Sequence, residues 1–278
     1  MQMIEEGYFK LDDPVENFVP EIRKIKGYSD FNKITFRQLA SHTSGLEKEP
    51  GLKNAGLGLP EDWVNKTLLT IPTSKLISEP GLEYNYSNIG ISIIGLAVSR
   101  AANKSFIDLV KEKIFIPLNM DNTFYKVPEA EMENFSVGVN GGRLTKRAIK
   151  KSDRERQGRG YKLPAGGLIT TPSDICKFVL ALMGESEKKI LSNESLSLMQ
   201  TPVIKIETGV YYGLGLFISS NDNLTIIGHG GNCRGFNSLF AFDPLKNNGV
   251  VFLRNYNDGM TNFDIRATSR LFYQIIIS

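Results

Sequence analysis

An α+β fold follows from three features of the chain. Helical hydrophobic spacing and capping signals occupy residues 1–200. From residue 209 the runs become short and rich in aromatic and β-branched residues. Asn, Asp, Gly and Pro then separate those runs at hairpin intervals. The expected architecture is an antiparallel β-sheet flanked by helices, beside a mostly helical subdomain, with residues 1–278 forming one domain. Residues 201–278 should supply the strands and a C-terminal helix.

Composition bounds the function classes. The 278 residues are 41% hydrophobic and 23% charged, enough to bury a full core. A net charge of +3 is too small to argue for a nucleic-acid partner. No apolar run reaches the ~20 residues that cross a bilayer. Cys176 and Cys233 lack metal-ligand spacing and are expected as two thiols, not a disulfide.

Met1 to Gly7 reads as the last turns of an amphipathic helix with Gly7 at its C-terminal cap. No basic-then-apolar leader pattern opens the chain. Thr35-Phe36-Arg37-Gln38 matches a capping box, predicting a helix from Phe36 to about His42 that stops near Gly45. Residues 46 to 60 are glycine-rich and read as loop, and a short helix should run from Trp63 to Leu69. Ile89 to Ala102 carries Ile91, Ile94, Val98 and Ala101 on one helical face. Ser105 is placed to cap Phe106 to Ile114. Thr171-Pro172-Ser173-Asp174 starts a helix that should reach Met183. Strands are expected at Tyr211 to Ile218, Leu224 to Gly228, Phe236 to Phe242 and Gly249 to Arg254. A final helix is expected from Phe263 to Ile277.

Two segments carry chemistry. Tyr86-Ser87-Asn88 closes an aromatic, polar loop and opens an apolar helix. His229-Gly230-Gly231 ends one strand-like run and leads through Arg234-Gly235 into another. A tyrosine hydroxyl, a carboxamide and a glycine-lined strand edge are parts that acyl-transfer sites use. Taken locally, Tyr86 also reads as a core residue and Asn88 as the cap of the helix at Ile89. His42 reads as a histidine bonded to backbone at a helix end. With His42 and His229 the only histidines and no Gly-x-Ser-x-Gly elbow, a Ser-His-Asp hydrolase is improbable. Residues 143 to 162 hold nine Arg or Lys against Asp153 and Glu155, a run that reads as a solvated loop.

The order and spacing of several segments resemble the β-lactamase-related serine hydrolases, which include class C β-lactamases, DD-peptidases and esterases. They are Ile4-Glu5-Glu6-Gly7, Leu11-Asp12-Asp13-Pro14, Ile34-Thr35, His42-Thr43-Ser44-Gly45-Leu46 and Tyr84 to Gly90. Pro164-Ala165-Gly166-Gly167-Leu168 and Gly228 to Asp243-Pro244 complete the set. The resemblance implies that Tyr86 serves as general base toward a serine and later as proton donor to the leaving group. A phenol with an ordinary pKa near 10 needs a neighbouring cation for that role. It implies that the Asn88 amide donates to a carbonyl of the substrate side chain and accepts from the lysine of the family's Ser-x-x-Lys motif. His229, Gly230 and Gly231 would stand where related lactamases carry Lys-Thr-Gly. Gly231 would let an acyl group lie against the strand, and the Asn232 N–H would be an oxyanion donor. His229 would bond the tyrosine or a substrate carboxylate and change charge near neutral pH. Cys233 would lie beside the same pocket.

One part of the pattern is not found. The family's Ser-x-x-Lys has a single match, Ser186-Glu187-Lys188-Lys189, which comes after the tyrosine motif instead of before it. The resemblance places the nucleophile about three helical turns before Met1, so the chain is expected to be truncated and inactive alone. A non-catalytic member that binds peptides or assembles through the cleft is the alternative. The substrate class implied is a small ester, D-amino-acid peptide or β-lactam, with no metal or organic cofactor.

Overall fold

The computed structural model describes residues 1–140, 157–221 and 224–257. Its sheet has six antiparallel strands in sequence order: β2 (Ile204–Glu207), β3 (Val210–Tyr212), β4 (Phe217–Asn221), β5 (Leu224–Cys233), β6 (Phe236–Asp243) and β7 (Asn248–Arg254). A short parallel pair, β1 (Val139–Asn140) with β8 (Tyr256–Asn257), lies beside it. The helices are α1 (Gln2–Glu5), α2 (Phe36–Ala40), α3 (Trp63–Thr70), α4 (Asn88–Ala101), α5 (Phe106–Val110), α6 (Leu163–Gly166), α7 (Pro172–Met183) and α8 (Asn193–Met199).

Capping chemistry sets the helix starts that matter here. Both halves of the capping box form at α2: Thr35 Oγ1 accepts from the Gln38 N–H, and the Gln38 side chain accepts from the Thr35 N–H. Ser87, not Asn88, caps α4, its Oγ accepting from the Gly90 N–H at 3.1 Å. Asn88 is the first helical residue, so its side chain is released from capping. Thr171 caps α7 through the Asp174 N–H, and that helix ends at Met183 as its sequence predicts. Ser105 makes no side-chain cap, and α5 runs into a π-helical turn over Lys111–Phe115.

Two apolar cores hold the layers. The larger surrounds α4, where Ile89, Ile93, Leu96 and Ala97 are buried. The expected face of Ile91, Ile94, Val98 and Ala101 is only its flank. This helix is apolar nearly all round, so its periodicity does not mark the deepest side. The second core packs Val179 and Leu182 of α7 and Leu196 of α8 on Ile218, Ile227 and Phe242 of the sheet.

Other expectations need correction. Tyr211 to Ile218 is not one strand: Leu214-Gly215 turns the chain between β3 and β4, with Gly215 at φ +77°. β5 runs on to Cys233, so the His229-Gly230-Gly231 segment lies inside a strand and does not end one. Strand β2 and helix α8 carry no distinctive sequence signal and are additions. The helix expected at Phe263–Ile277 lies outside the described residues, as does most of the basic run. Among the described residues, no helix is long and apolar enough to cross a membrane.

Candidate active site

The site is assembled from a loop, a helix start and a strand edge. The loop is Ser41 to Glu49. Gly45 takes φ +74°, and a Cβ there would meet the Ser78 carbonyl oxygen at 2.2 Å, so only glycine fits. Three backbone bonds tie the loop to residues 81–88: Gly81 N–H to Thr43 O at 2.6 Å, Asn85 N–H to His42 O at 2.7 Å and Asn88 N–H to Lys48 O at 3.1 Å. It reaches the sheet through the Gly215 N–H, which donates to Ala40 O at 2.9 Å.

His42 is the centre of this join. It is buried at φ +57°, and its Nδ1 accepts the Ser87 N–H at 3.2 Å. Its ring lies 4.1 Å from the Tyr86 ring and 4.9 Å from that of Tyr212, centroid to centroid. Burial, with His229 as a lesser cause, depresses its pKa to about 3, so it is neutral and its Nδ1 stays an acceptor. The expected backbone bond of His42 is therefore made, and it fixes the tyrosine motif.

The strand edge is created by strand length. β4 begins at Phe217 opposite Gly228, so residues 229 to 233 of β5 pair with β6 alone. The Gly213 N–H bonds the Leu216 carbonyl across the β3–β4 turn. Antiparallel alternation from that pair directs the Phe217 groups to Gly228, and those of Gly230 and Asn232 to the open side. The N–H of Asn232 thus points away from β6. Gly231 is the residue opposite Ser238, and a Cβ on it would meet the Ser238 hydroxyl at 2.3 Å. Asn257 holds the end of the edge, donating to Asn232 Oδ1 and to the Cys233 carbonyl, the latter at 2.6 Å. Cys233 is half-buried there and Cys176 exposed.

His229 differs from its expected state. Its Nδ1 faces the Gly230 carbonyl at 2.8 Å, which can only accept, so Nδ1 carries the proton. Nε2 is left to accept from the Tyr212 hydroxyl at 3.1 Å. The tyrosine it bonds is Tyr212, not Tyr86, a partner that lies in a separate strand and has no motif to announce it. Burial lowers its pKa, which opposes a change of charge near neutral pH.

Tyr86 stands next to this edge, its ring 6.3 Å from that of His229. Its hydroxyl makes no hydrogen bond among the described residues. Burial first, and then the charge of Glu49, raise its pKa, opposite to what a general base requires. Lys48 Nζ is the nearby cation, 5.8 Å from the ring centroid. Tyr84, Phe217 and Tyr212 extend the aromatic wall.

Asn88 is held by residues that have no motif of their own. Its Nδ2 donates to Glu49 Oε1 at 2.6 Å. Glu49 also accepts from Lys162 Nζ at 2.7 Å and Tyr161 Oη at 2.5 Å. Lys162, read as part of a solvated basic run, is instead an ion-pair partner of the site. Ser186 lies in the turn after α7, its Oγ donating to the Lys188 carbonyl at 2.7 Å, and makes no contact with Tyr86 or His229. A separate recess of about 320 Å³, lined by Leu57, Gly58, Leu59, Asp62 and Gln157, contains none of the motif residues.

Tyrosine, carboxamide and open glycine-bearing strand are thus met in the order of the β-lactamase fold, and the β-lactamase family model matches residues 1–274. The chain belongs to the β-lactamase family. Beta-lactamase-like protein 4 of Dictyostelium discoideum is 27% identical over 263 residues, covering 87% of this chain and 45% of that protein. An octameric penicillin-binding protein homologue from Pyrococcus abyssi superposes with a TM-score of 0.72 at 26% identity, covering 92% of this chain and 58% of that one. A D-stereospecific amidohydrolase from Streptomyces sp. gives 0.73 at 25% identity, covering 92% and 78%. The chain spans about half the length of the curated β-lactamase-family relatives it matches.

Proposed function

We propose that this cleft serves acyl transfer of the serine-hydrolase type on an ester or amide. A serine oxygen attacks the carbonyl carbon while Tyr86 takes the hydroxyl proton. The oxyanion rests on the Asn232 N–H and a second amide. Tyr86 returns the proton to the leaving group as the carbon–heteroatom bond breaks, and water then resolves the acyl-enzyme. Asn88 positions the acyl side chain, and Gly231 keeps the strand low enough for it to approach. The observation that carries this reading is Tyr86 beside His229, on the open edge of β5.

The 278 residues alone are proposed to bind acyl compounds without turning them over. No Ser-x-x-Lys precedes Tyr86 among them, and the phenol is shifted away from ionisation. A binding role for the chain alone rests on the same two facts. The test is incubation with p-nitrophenyl acetate and a fluorophosphonate probe, beside a ligand-shift assay on Tyr86→Phe and His229→Ala. Binding that weakens in both variants, without probe labelling, fits the proposal. Serine labelling with matching turnover sinks the inactivity, and binding indifferent to both variants sinks the cleft.

A further inference from the structure

The Asn232 N–H lies at the far end of the open edge, where β5 has least support. Residues 229 to 233 pair with β6 alone, and Gly230 and Gly231 come directly before Asn232. Two glycines in succession leave a backbone freer to turn than side-chain-bearing residues would. Just beyond Asn232 the strand ends in the Arg234-Gly235 turn, with Gly235 at φ +84°. Asn232 is itself exposed, so burial does not fix it.

One side chain closes this end from outside the six-stranded sheet. Asn257 belongs to β8, which pairs with β1, and it is only 5% exposed. Its Nδ2 donates to the Cys233 carbonyl at 2.6 Å and to Asn232 Oδ1. A backbone carbonyl only accepts, so the Asn257 branch facing Cys233 is the nitrogen. The Asn232 branch that meets the same nitrogen is then its oxygen. The Asn257 amide has two N–H groups and meets two acceptors, the side chain of Asn232 and the carbonyl of the next residue. β8 is in turn fastened to residues 137–140: the Val139 N–H donates to Asn255 O at 2.9 Å, and Asn255 Nδ2 to Val137 O at 3.0 Å. The hold on Asn232 is therefore anchored outside β5 and β6.

We infer that Asn257 is a positioning residue for the oxyanion site, holding Asn232 so that its backbone N–H stays aimed at the carbonyl oxygen of a bound acyl compound. This rests on the reading of the cleft as an acyl site with the Asn232 N–H as a donor. Oxyanion donors work by being in place beforehand, since a donor that must first be brought into line gives part of its stabilisation back. Gripping both the Asn232 side chain and the carbonyl beyond it restrains rotation at its Cα, and the N–H turns with that Cα.

The experiment binds phenylacetylglycine, labelled with carbon-13 at its phenylacetyl carbonyl, to the wild-type chain, Asn257→Ala, Asn232→Ala and the double variant. Calorimetry gives the affinity. The carbonyl signal at saturation reports how strongly the N–H polarises the bound carbonyl, whatever the affinity. In the wild type that signal should move downfield on binding. N257A should lose most of the movement and bind about fivefold more weakly, the worth of one hydrogen bond. N232A keeps the N–H but removes Oδ1, so it should lose part of the movement. The double variant should be no worse than N257A, because Asn257 acts through Asn232. Full movement at saturation in N257A, or losses from the two variants that add, overturn the inference. Where N257A does not fold, N232A decides: partial loss supports the inference and full movement overturns it. If the wild type binds without downfield movement, or does not bind, the acyl-site reading has failed and the inference falls with it.

Discussion

The Ser87 N–H donates to His42 Nδ1 across 3.2 Å, joining residues 45 apart in sequence. This bond sets the start of α4 and with it the directions of Tyr86 and Asn88. It exists only while the imidazole is neutral, because a protonated Nδ1 would face the Ser87 N–H donor to donor. The rings packed around His42 are those of Tyr84, Tyr86 and Tyr212, and no carboxylate is among the causes of its shift.

Acid should therefore loosen the site before it titrates the carboxylates. The unfolded histidine takes a proton near its ordinary value of 6.5 and the folded one near 3. Between those values the unfolded state binds more protons, so stability is full above 6.5 and declines as pH falls toward 3. From pH 7.5 to 5.0 the loss due to His42 is about 2 kcal/mol. His229 is shifted in the same direction and adds to it. His42→Asn tolerates the left-handed backbone but does not titrate there. Urea unfolding of H42N should give a pH dependence shallower by about that amount; an equally steep curve would count against His42 as its source.

Gly228 and Gly231, two of the three glycines of β5, should differ in what they cost when replaced. A Cβ at Gly228 would meet the Phe240 carbonyl oxygen at 2.2 Å and Ala241 Cα at 2.9 Å, atoms of the neighbouring backbone that cannot turn aside. At Gly231 the obstacle is the Ser238 hydroxyl, which can rotate. Gly228→Ala should therefore lose about 3 kcal/mol or more, and Gly231→Ala about 1. Thermal melts of Gly231→Ala with and without Ser238→Ala check the cause, since the double variant should recover most of the loss.

How much of this was legible depended on whether a residue's partner was local. The Thr35 capping box, the Thr171-Pro172 start and the Gly235 turn are set within a few residues, and each formed as read. Tyr86 and His229 could be brought together because each carries a motif. Glu49, Tyr161 and Tyr212 carry none; Tyr161 bonds a carboxylate 112 residues away in sequence, a pairing that only the fold creates. The split of Tyr211 to Ile218 was hidden for another reason. Leu214 and Leu216 are buried as strand residues would be, so hydrophobicity alone passed over the turn between them.

Tyr86 should remain protonated well beyond neutral pH. Burial and the Glu49 charge both raise its pKa, while Lys48 lies over the ring face instead of at the hydroxyl. Carbon-13 tyrosine spectra followed against pH should show the signal lost in Tyr86→Phe ionising above the ordinary phenol range. Removing one cause should bring it back: Glu49→Gln should lower that titration, because a neighbouring negative charge has been taken away. A signal that ionises near neutral pH in the wild type would show a cation at the hydroxyl and restore a working base.

The 278 residues should be inactive for want of a nucleophile beside Tyr86. Ser186 is the one serine with a lysine three residues on, yet its hydroxyl is spent on the Lys188 carbonyl in a turn beyond α7. Among the described residues it makes no hydrogen bond to a carboxylate or imidazole, and Tyr86 belongs to a different part of the fold. Loss of a catalytic serine costs about 10⁶ in turnover in a well-studied serine protease. Hydrolysis of p-nitrophenyl acetate by the chain should therefore sit at the buffer rate and stay there in Ser186→Ala. Adding a peptide that carries a Ser-x-x-Lys helix, in trans, asks whether the cleft is otherwise complete. Turnover that appears with the peptide and vanishes in Tyr86→Phe would place the deficit in the nucleophile, whereas turnover without the peptide would place a working nucleophile within the chain itself.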